Sequence, residues 1–425
     1  MLHERKQILP MTQALHRRNH CRLCDSSRLE LAVPMKPSPI GDAFVPASRL
    51  GQPQDLYPLD LYLCGDCGHV QNLDFVDPEV LFRDYLYTTS TSLGLVEHFR
   101  KYASDVIAGL GIEPRSLVVE IGSNDGSLLR FFQAQGMKVL GIDPARDIAR
   151  RATESGVETL PEFFESGLAS RIRSEYGGAA VFCANNVFAH ADDLADIVRG
   201  IREVLADDGV FVFEVSYLVD IVDKYVFDTV YHEHVSYHSI GPLVKFFDRM
   251  GMQLIDVQQV GTKGGSIRGF AQRRPEGKRP VRPIVGELMA LEHIRGFDRL
   301  PLYEAFAQRI NERKIALNSY LDREIAAGKM IAGYGASTTT TTLVWHFELE
   351  RKLAFVADDN PVKQGRYCPG NHVPVVPSGE LYVRRPDIVV ILAWQYAAPI
   401  LDLHARFMKE GGRFVIPLTE LKVLP

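Results

Sequence analysis

Only six of the 425 residues are cysteine, too few for the disulfide scaffold of a small secreted protein. No apolar run reaches the roughly 18–20 residues that a membrane-spanning helix requires. The first twenty residues carry Arg5, Lys6, Arg17 and Arg18 but no apolar stretch of signal-peptide length. Lysine and arginine together number 48 against 53 aspartates and glutamates, a formal charge of −5. A mildly acidic chain supplies no electrostatic pull toward nucleic acid or an anionic membrane. With 46% hydrophobic and 24% charged residues, disorder and collagen-like repetition are excluded as well. The expectation is a cytoplasmic globular protein, long enough for two or three domains.

What is present begins with the cysteines themselves. Four of them form two C-x-x-C pairs, Cys21 with Cys24 and Cys64 with Cys67. This is the spacing of a tetrahedral zinc site with four thiolate ligands. Gly65 and Gly68 let the second pair turn tightly. The 39 residues between the pairs exceed the roughly 15–20 of a compact zinc ribbon, so they must fold back as a small lobe with strands such as Leu59 to Leu63. A redox dithiol is the competing reading, but such a motif opens a helix after a strand, and proline, glycine and polar residues surround these pairs. A closed four-thiolate shell leaves no position for substrate, so this zinc would hold a fold together and perform no chemistry.

From Arg115 the pattern changes to α/β. The β-branched run Ser116 to Ile121 leads into the turn Gly122 to Gly126, and Ser127 to Phe132 follow at helical spacing. Strand, glycine turn and helix build a ligand site at the carboxyl edge of a parallel sheet. A second run, Lys138 to Asp143, ends in an acid suited to two ribose hydroxyls. Runs at Ala179 to Cys183 and Gly209 to Val215, with a helical segment from Asp192 to Leu205, complete a doubly wound fold. The dinucleotide fingerprint G-x-G-x-x-G is missing. Glu120-x-Gly122-x-x-x-Gly126 instead resembles motif I of the class I S-adenosylmethionine-dependent methyltransferases, with Asn124 in place of the middle glycine. That cofactor is an amino acid joined to a nucleoside, with no phosphate to cradle. Glu120 and the close backbone of Gly122, Asn124 and Gly126 suit it, and Asp143 is placed for its ribose. Asn185 and His190 follow the strand that starts at Ala179, where methyltransferase folds place residues over the cofactor.

Between Tyr231 and Ser239 stand three histidines, a glutamate and two tyrosines, the densest acid–base stretch in the chain. Histidine exchanges a proton near neutral pH, a carboxylate such as Glu233 orients it, and tyrosine donates to a developing oxyanion. H-E-x-x-H fails here, because Ser236 stands where the second histidine is required. Two further readings stay open: His234 and His238 as metal ligands on one helix face, and a hydrogen-bonded structural loop.

A helical stretch from about Leu300 to Ala327 then precedes a third unit. It contains the turn Gly333-Tyr-Gly335, five threonines from Thr338 to Thr342 whose hydroxyls are candidates for phosphate oxygens, and strands at Leu353 to Ala357, Pro386 to Trp394 and Arg413 to Ile416. The third fingerprint glycine is replaced by Thr338, which argues against an NAD site.

Taken together, these blocks resemble the S-adenosylmethionine-dependent sugar C-methyltransferases, typified by the deoxysugar C-3 methyltransferases. The resemblance rests on the paired C-x-x-C, Asp84 to Ser90, Glu120 to Gly126, Tyr231 to Ser239, Lys263 to Arg268, Asp359 to Gly365 and Leu392 to Trp394. It implies a zinc-binding lobe at residues 1–80, a class I methyltransferase domain at 81–275, and a helical connection with a Rossmann-like domain at 276–425. It further implies a nucleotide-linked 4-keto-6-deoxy sugar as substrate, with His234 as the base that removes the C-3 proton. Tyr231, Glu233, Tyr85 and His190 match the family's other active-site residues. The five threonines depart from the family, which places a basic residue there, so the carrier nucleotide stays open, as does the oligomeric state. The alternatives are an O- or N-methyltransferase and a zinc-lobed binding protein without activity.

Overall fold

The computed structural model describes residues 15–82, 89 and 93–425. Short strands build the first lobe. Leu29–Val33, Leu61–Cys64 and Val70–Asn72 form an antiparallel sheet, and Leu15–Arg17 pairs separately with Asp74–Val76. Leu59, Leu61 and Leu63 are buried, the period of two that puts alternate residues on one sheet face. The sheet's fourth strand is not local. Ser236–Tyr237, from inside the polar cluster, pairs antiparallel with Gln71 and Val70. The cluster is therefore no helix, and the idea of His234 and His238 as ligands on one helix face is corrected: His234 precedes this strand and His238 follows it.

The four paired cysteines converge. Their sulfurs all lie within 4.8 Å of one another, with Cys21 and Cys67 3.6 Å apart and Cys24 and Cys64 3.5 Å apart. A zinc–sulfur bond of about 2.3 Å sets tetrahedral sulfurs about 3.8 Å apart, so the cluster matches Zn²⁺. Gly68, with φ +84°, makes the turn that returns its amide to the Cys64 carbonyl at 2.9 Å. Four sulfurs in one cluster are a metal shell and not a pair of redox dithiols.

The middle of the chain forms a seven-stranded sheet. Its spatial order is Thr159–Leu160, Lys138–Ile142, Leu117–Ile121, Ala179–Asn185, Leu205–Ser216, Ser266–Arg273 and Met252–Val260. The first five run parallel, and Ser266–Arg273 is antiparallel to both of its neighbours. Counted along the chain this is the order 3-2-1-4-5-7-6, and its reversal between the first and fourth strands opens a crevice at their carboxyl ends. Buried Val118, Val119, Val181 and Phe182 explain why the central strands read as continuous apolar runs: both faces are covered.

Helices Pro283–Arg295 and Leu300–Ala326 lead to a second α/β sheet. It is ordered Val375–Val376, Val356–Ala357, Ile331–Tyr334, Ile388–Ile391, Arg413–Ile416 and Lys422–Leu424, parallel except for the last strand. The threonine run opens the helix Thr338–His346. The hydroxyls of its last three threonines are taken up by backbone carbonyls. Thr340 donates to the Gly335 carbonyl at 2.9 Å, Thr341 to Gly41 in the first lobe at 2.8 Å, and Thr342 to Val230 beside the polar cluster at 2.7 Å. All three are buried, so the run is a seam between units, and the expectation of phosphate contacts is corrected for these side chains. Trp394 adds a bond from its indole nitrogen to Asp228 at 2.9 Å.

Two outcomes follow from this architecture. Elemental analysis of the purified chain should find one zinc per molecule, and Cys64→Ser should lose it together with a cooperative thermal transition of the first lobe. Thr342→Val keeps the shape but strands the buried Val230 carbonyl, so denaturant unfolding should show a loss of about 1–2 kcal/mol.

Candidate active site

A cavity of about 730 Å³ opens at the carboxyl edge of the central sheet, under residues 77–82 of the first lobe. Its floor is the turn after Leu117–Ile121. Gly122 has φ +62°, and a Cβ there would lie 2.2 Å from Val187; Gly126 has φ +75° and faces Val157 at 2.9 Å. Asn124, in the place of a glycine, is also left-handed with φ 51°, a conformation asparagine tolerates better than most residues. Its side chain does further work, because its carbonyl accepts the Thr89 amide at 2.9 Å.

Asp143 holds this turn as well as facing the cavity. Its carboxylate accepts the amides of Asn124 at 2.8 Å and Ala145 at 2.9 Å, and both oxygens keep a lone pair for ribose hydroxyls. Burial raises its pKa while those amides oppose the shift. Glu120 is buried more severely, and desolvation lifts it to about 8 against the hydrogen bond from Asn185 at 3.2 Å. Glu120 Oε2, Asn185 Oδ1 and Ser123 Oγ have no hydrogen-bond partner among the described residues, although each residue lines the cavity. Unpaired buried acceptors around an acid are what an ammonium-bearing ligand satisfies. The residues fit S-adenosylmethionine.

On the far wall stand His190, Tyr231, Glu233 and Lys263. His234 sits directly behind them. Its ring lies 4.1 Å from that of Tyr231 and 5.1 Å from that of His190, centroid to centroid. Nδ1 is 2.8 Å from the Thr229 carbonyl, which can only accept, so Nδ1 carries the proton. Nε2 is then a bare lone pair, and it accepts the Tyr231 hydroxyl at 2.9 Å. Burial depresses His234 to about 3, helped by the charge of Lys263, so the ring is neutral near pH 7. His190 is likewise held well below the usual histidine range, and its Nε2 has no partner among the described residues.

The backbone explains why these two histidines meet. The Ala189 carbonyl accepts the amides of Val235 at 3.0 Å and Ser236 at 3.1 Å, locking the loop after Ala179–Asn185 onto the polar cluster. His232 and His238 belong to the packing. His232 faces the Tyr57 carbonyl at 3.3 Å, and His238 stacks on His69 and Phe188. Tyr85 lies outside the described residues. Lys263 and Ser123 had no assigned role from sequence: both sit in turns, where side-chain direction follows from tertiary contacts.

Comparison with known proteins gives three family matches. Residues 21–82 match the model of a zinc binding domain, residues 95–257 that of a methyltransferase domain, and residues 261–419 that of a C-methyltransferase C-terminal domain. The C-methyltransferase NovU of Streptomyces niveus is 33% identical over 407 residues, covering 96% of this chain and 97% of that protein. Among solved structures, magnesium protoporphyrin IX methyltransferase of Synechocystis PCC 6803 with bound SAH is 17% identical, with a TM-score of 0.32, covering 45% of this chain and 90% of that one. The CcbJ methyltransferase of Streptomyces caelestis is 13% identical with a TM-score of 0.33, over 41% and 89% of the respective chains.

Glu120 makes cofactor binding pH-dependent. With its pKa near 8 the carboxyl is protonated at neutral pH, and a bound ammonium favours the carboxylate, so binding at pH 7 should expel a proton. The folded chain holds more protons than the unfolded one between the ordinary glutamate value of 4.5 and about 8, so this group's contribution to stability falls as pH rises through that window. Calorimetry in two buffers of different ionisation heat should register the released proton for the native chain. Glu120→Gln should abolish the release and weaken S-adenosylmethionine by about tenfold or more.

Proposed function

The chain belongs to the S-adenosylmethionine-dependent C-methyltransferases, and from that premise we propose that its acceptor is carbon 3 of a nucleotide-linked 4-keto-6-deoxy sugar. The observation that carries this reading is the tautomer of His234. A neutral imidazole whose lone pair accepts from a tyrosine hydroxyl on the cavity wall gives a proton a route out of the cavity. S-adenosylmethionine supplies an electrophilic methyl on sulfonium.

The protein's own task is to make carbon nucleophilic. A ketone at C-4 acidifies the C-3 hydrogen, because the electron pair released moves onto oxygen. The Tyr231 oxygen takes the C-3 proton as its own proton passes to His234 Nε2; the C–H pair becomes the C=C bond and the carbonyl pair settles on oxygen. Thr229 holds Nδ1–H throughout, so the ring cannot flip and present the wrong nitrogen. His190 offers a neutral ring nitrogen to the sugar, and Glu233 lines the same wall. In this division residues 1–80 hold the metal and cover the site, 81–275 carry the cofactor, and 276–425 brace the loop of the base. Zinc stays out of the reaction because its thiolate shell is complete.

The test uses His234→Asn and Tyr231→Phe with a panel of 4-keto nucleotide sugars. Both variants should lose about 10²–10⁴-fold in turnover while retaining cofactor affinity, as expected for loss of general base catalysis. In heavy water, with S-adenosylhomocysteine replacing the donor, the native chain should exchange the C-3 hydrogen and His234→Asn should not. A native chain that methylates a hydroxyl or an amine without such exchange would overturn the reading.

A further inference from the structure

The strands Met252–Val260 and Ser266–Arg273 are joined by a turn of five residues that reaches the cavity, and Lys263 is its tip. Lys263 has φ 52° and ψ 37°, a left-handed conformation that is unfavourable for a residue carrying a side chain. Gly265 fixes the turn: a Cβ there would lie 2.3 Å from Asp220 Oδ2. The base of the hairpin is anchored by Arg268, which donates to the buried Glu214 from Nε at 3.0 Å and from Nη2 at 2.8 Å. A lysine is thus carried on a rigid arm into the reaction cavity.

Its ammonium has no hydrogen bond or ion pair among the described residues, and its side chain is open to the cavity. Lys138, Lys245, Lys278, Lys409 and Lys422 also have no carboxylate partner among the described residues, but of the described lysines Lys263 alone lines the cavity. The surroundings locate it further. The charge of Lys263 depresses both His190 and His234, and the charge of Glu233 supports it against the desolvation that lowers its own pKa. It lines the same cavity as His190, Tyr231 and Glu233. The cavity lining also carries Asp77, Glu79, Glu165 and Asp193, acids that disfavour a diphosphate near them.

We propose that Lys263 is a catalytic residue whose ammonium binds the C-4 oxygen of the sugar and holds the negative charge that oxygen acquires when the C-3 proton leaves. This role rests on the C-methylation reading above. No proton is transferred to or from the lysine: Tyr231 and His234 take the proton, the electron pair settles on oxygen, and the ammonium donates a hydrogen bond that strengthens as that charge develops. A point charge on a flexible stem suits a single oxygen, where a guanidinium fork suits two.

The test compares Lys263→Met and Lys263→Arg with the native chain in C-3 hydrogen exchange in heavy water and in steady-state methylation. Lys263→Met should slow exchange and kcat together by about 10²-fold or more, as for removal of an oxyanion donor, with sugar KM changed by less than about threefold. S-adenosylmethionine affinity, measured by calorimetry, should be unchanged and so report an intact fold, and Lys263→Arg should recover part of the exchange rate. If Lys263→Met raises KM alone and leaves exchange intact, the ammonium binds another anionic group of the substrate and the proposal is overturned. Native-like behaviour of Lys263→Met overturns it equally. A native chain that exchanges nothing at C-3 overturns the enolate reading first and this role with it, an outcome separate from exchange that survives in the variant.

Discussion

The pairing of Ser236–Tyr237 with Val70–Gln71 is the constraint on which the rest of the molecule hangs. It makes the acid–base loop of the central domain the edge strand of a sheet organised by the metal-binding lobe. The Asn72 amide reaches the Val235 carbonyl at 3.0 Å, and the buried Arg22, inside the first C-x-x-C, donates to the Asn72 carbonyl. Arg22 is also paired with Asp192 at the rim of the cavity. A zinc ion with a closed shell can thus matter to a reaction it never touches: it shapes the lobe whose strand sets where Tyr231, Glu233 and His234 stand. On the opposite side, Thr342 and Trp394 hold Val230 and Asp228. The loop is clamped between three units, and a group clamped in this way keeps its geometry without reorganising when charge develops.

Burial gives the site its electrostatic character. Taking imidazole, carboxyl and ammonium groups out of water favours their neutral forms, so His234 and His190 are pushed down and Glu120 is pushed up. For His234 that shift keeps the lone pair free. For Glu120 it leaves a protonated acid, poised to ionise beside an ammonium group. The two ends of one cavity are tuned in opposite directions by the same physical cause.

Much of this was legible before any coordinates. The C-x-x-C spacing told of a tetrahedral thiolate shell, because zinc demands four ligands at fixed distances. Glu120, Gly122 and Gly126 announced a turn under a ligand, because a left-handed backbone in close contact with Val187 and Val157 excludes a side chain. The apolar runs of both α/β sheets are local patterns, and the observed strands fall within a few residues of them. The threonine run misled for an instructive reason. Hydroxyls after a glycine turn suit phosphate in one context, and buried against foreign carbonyls they are domain-joining donors.

The local sequence determined which chemistries were on hand: a thiolate metal site, a nucleoside-binding edge, and a stretch dense in proton carriers. These are properties of residue type and short spacing, carried by the chain at any stage of folding. Only the tertiary structure decided which of the proton carriers work together. Whether His234 presents Nδ1 or Nε2 depends on the Thr229 carbonyl, whether it meets His190 depends on the backbone of Ala189, and whether Lys263 reaches the same cavity depends on a hairpin bent by Gly265. A tautomer and a cation's position are set by contacts between segments far apart in sequence, and such contacts exist only once the chain has closed around them.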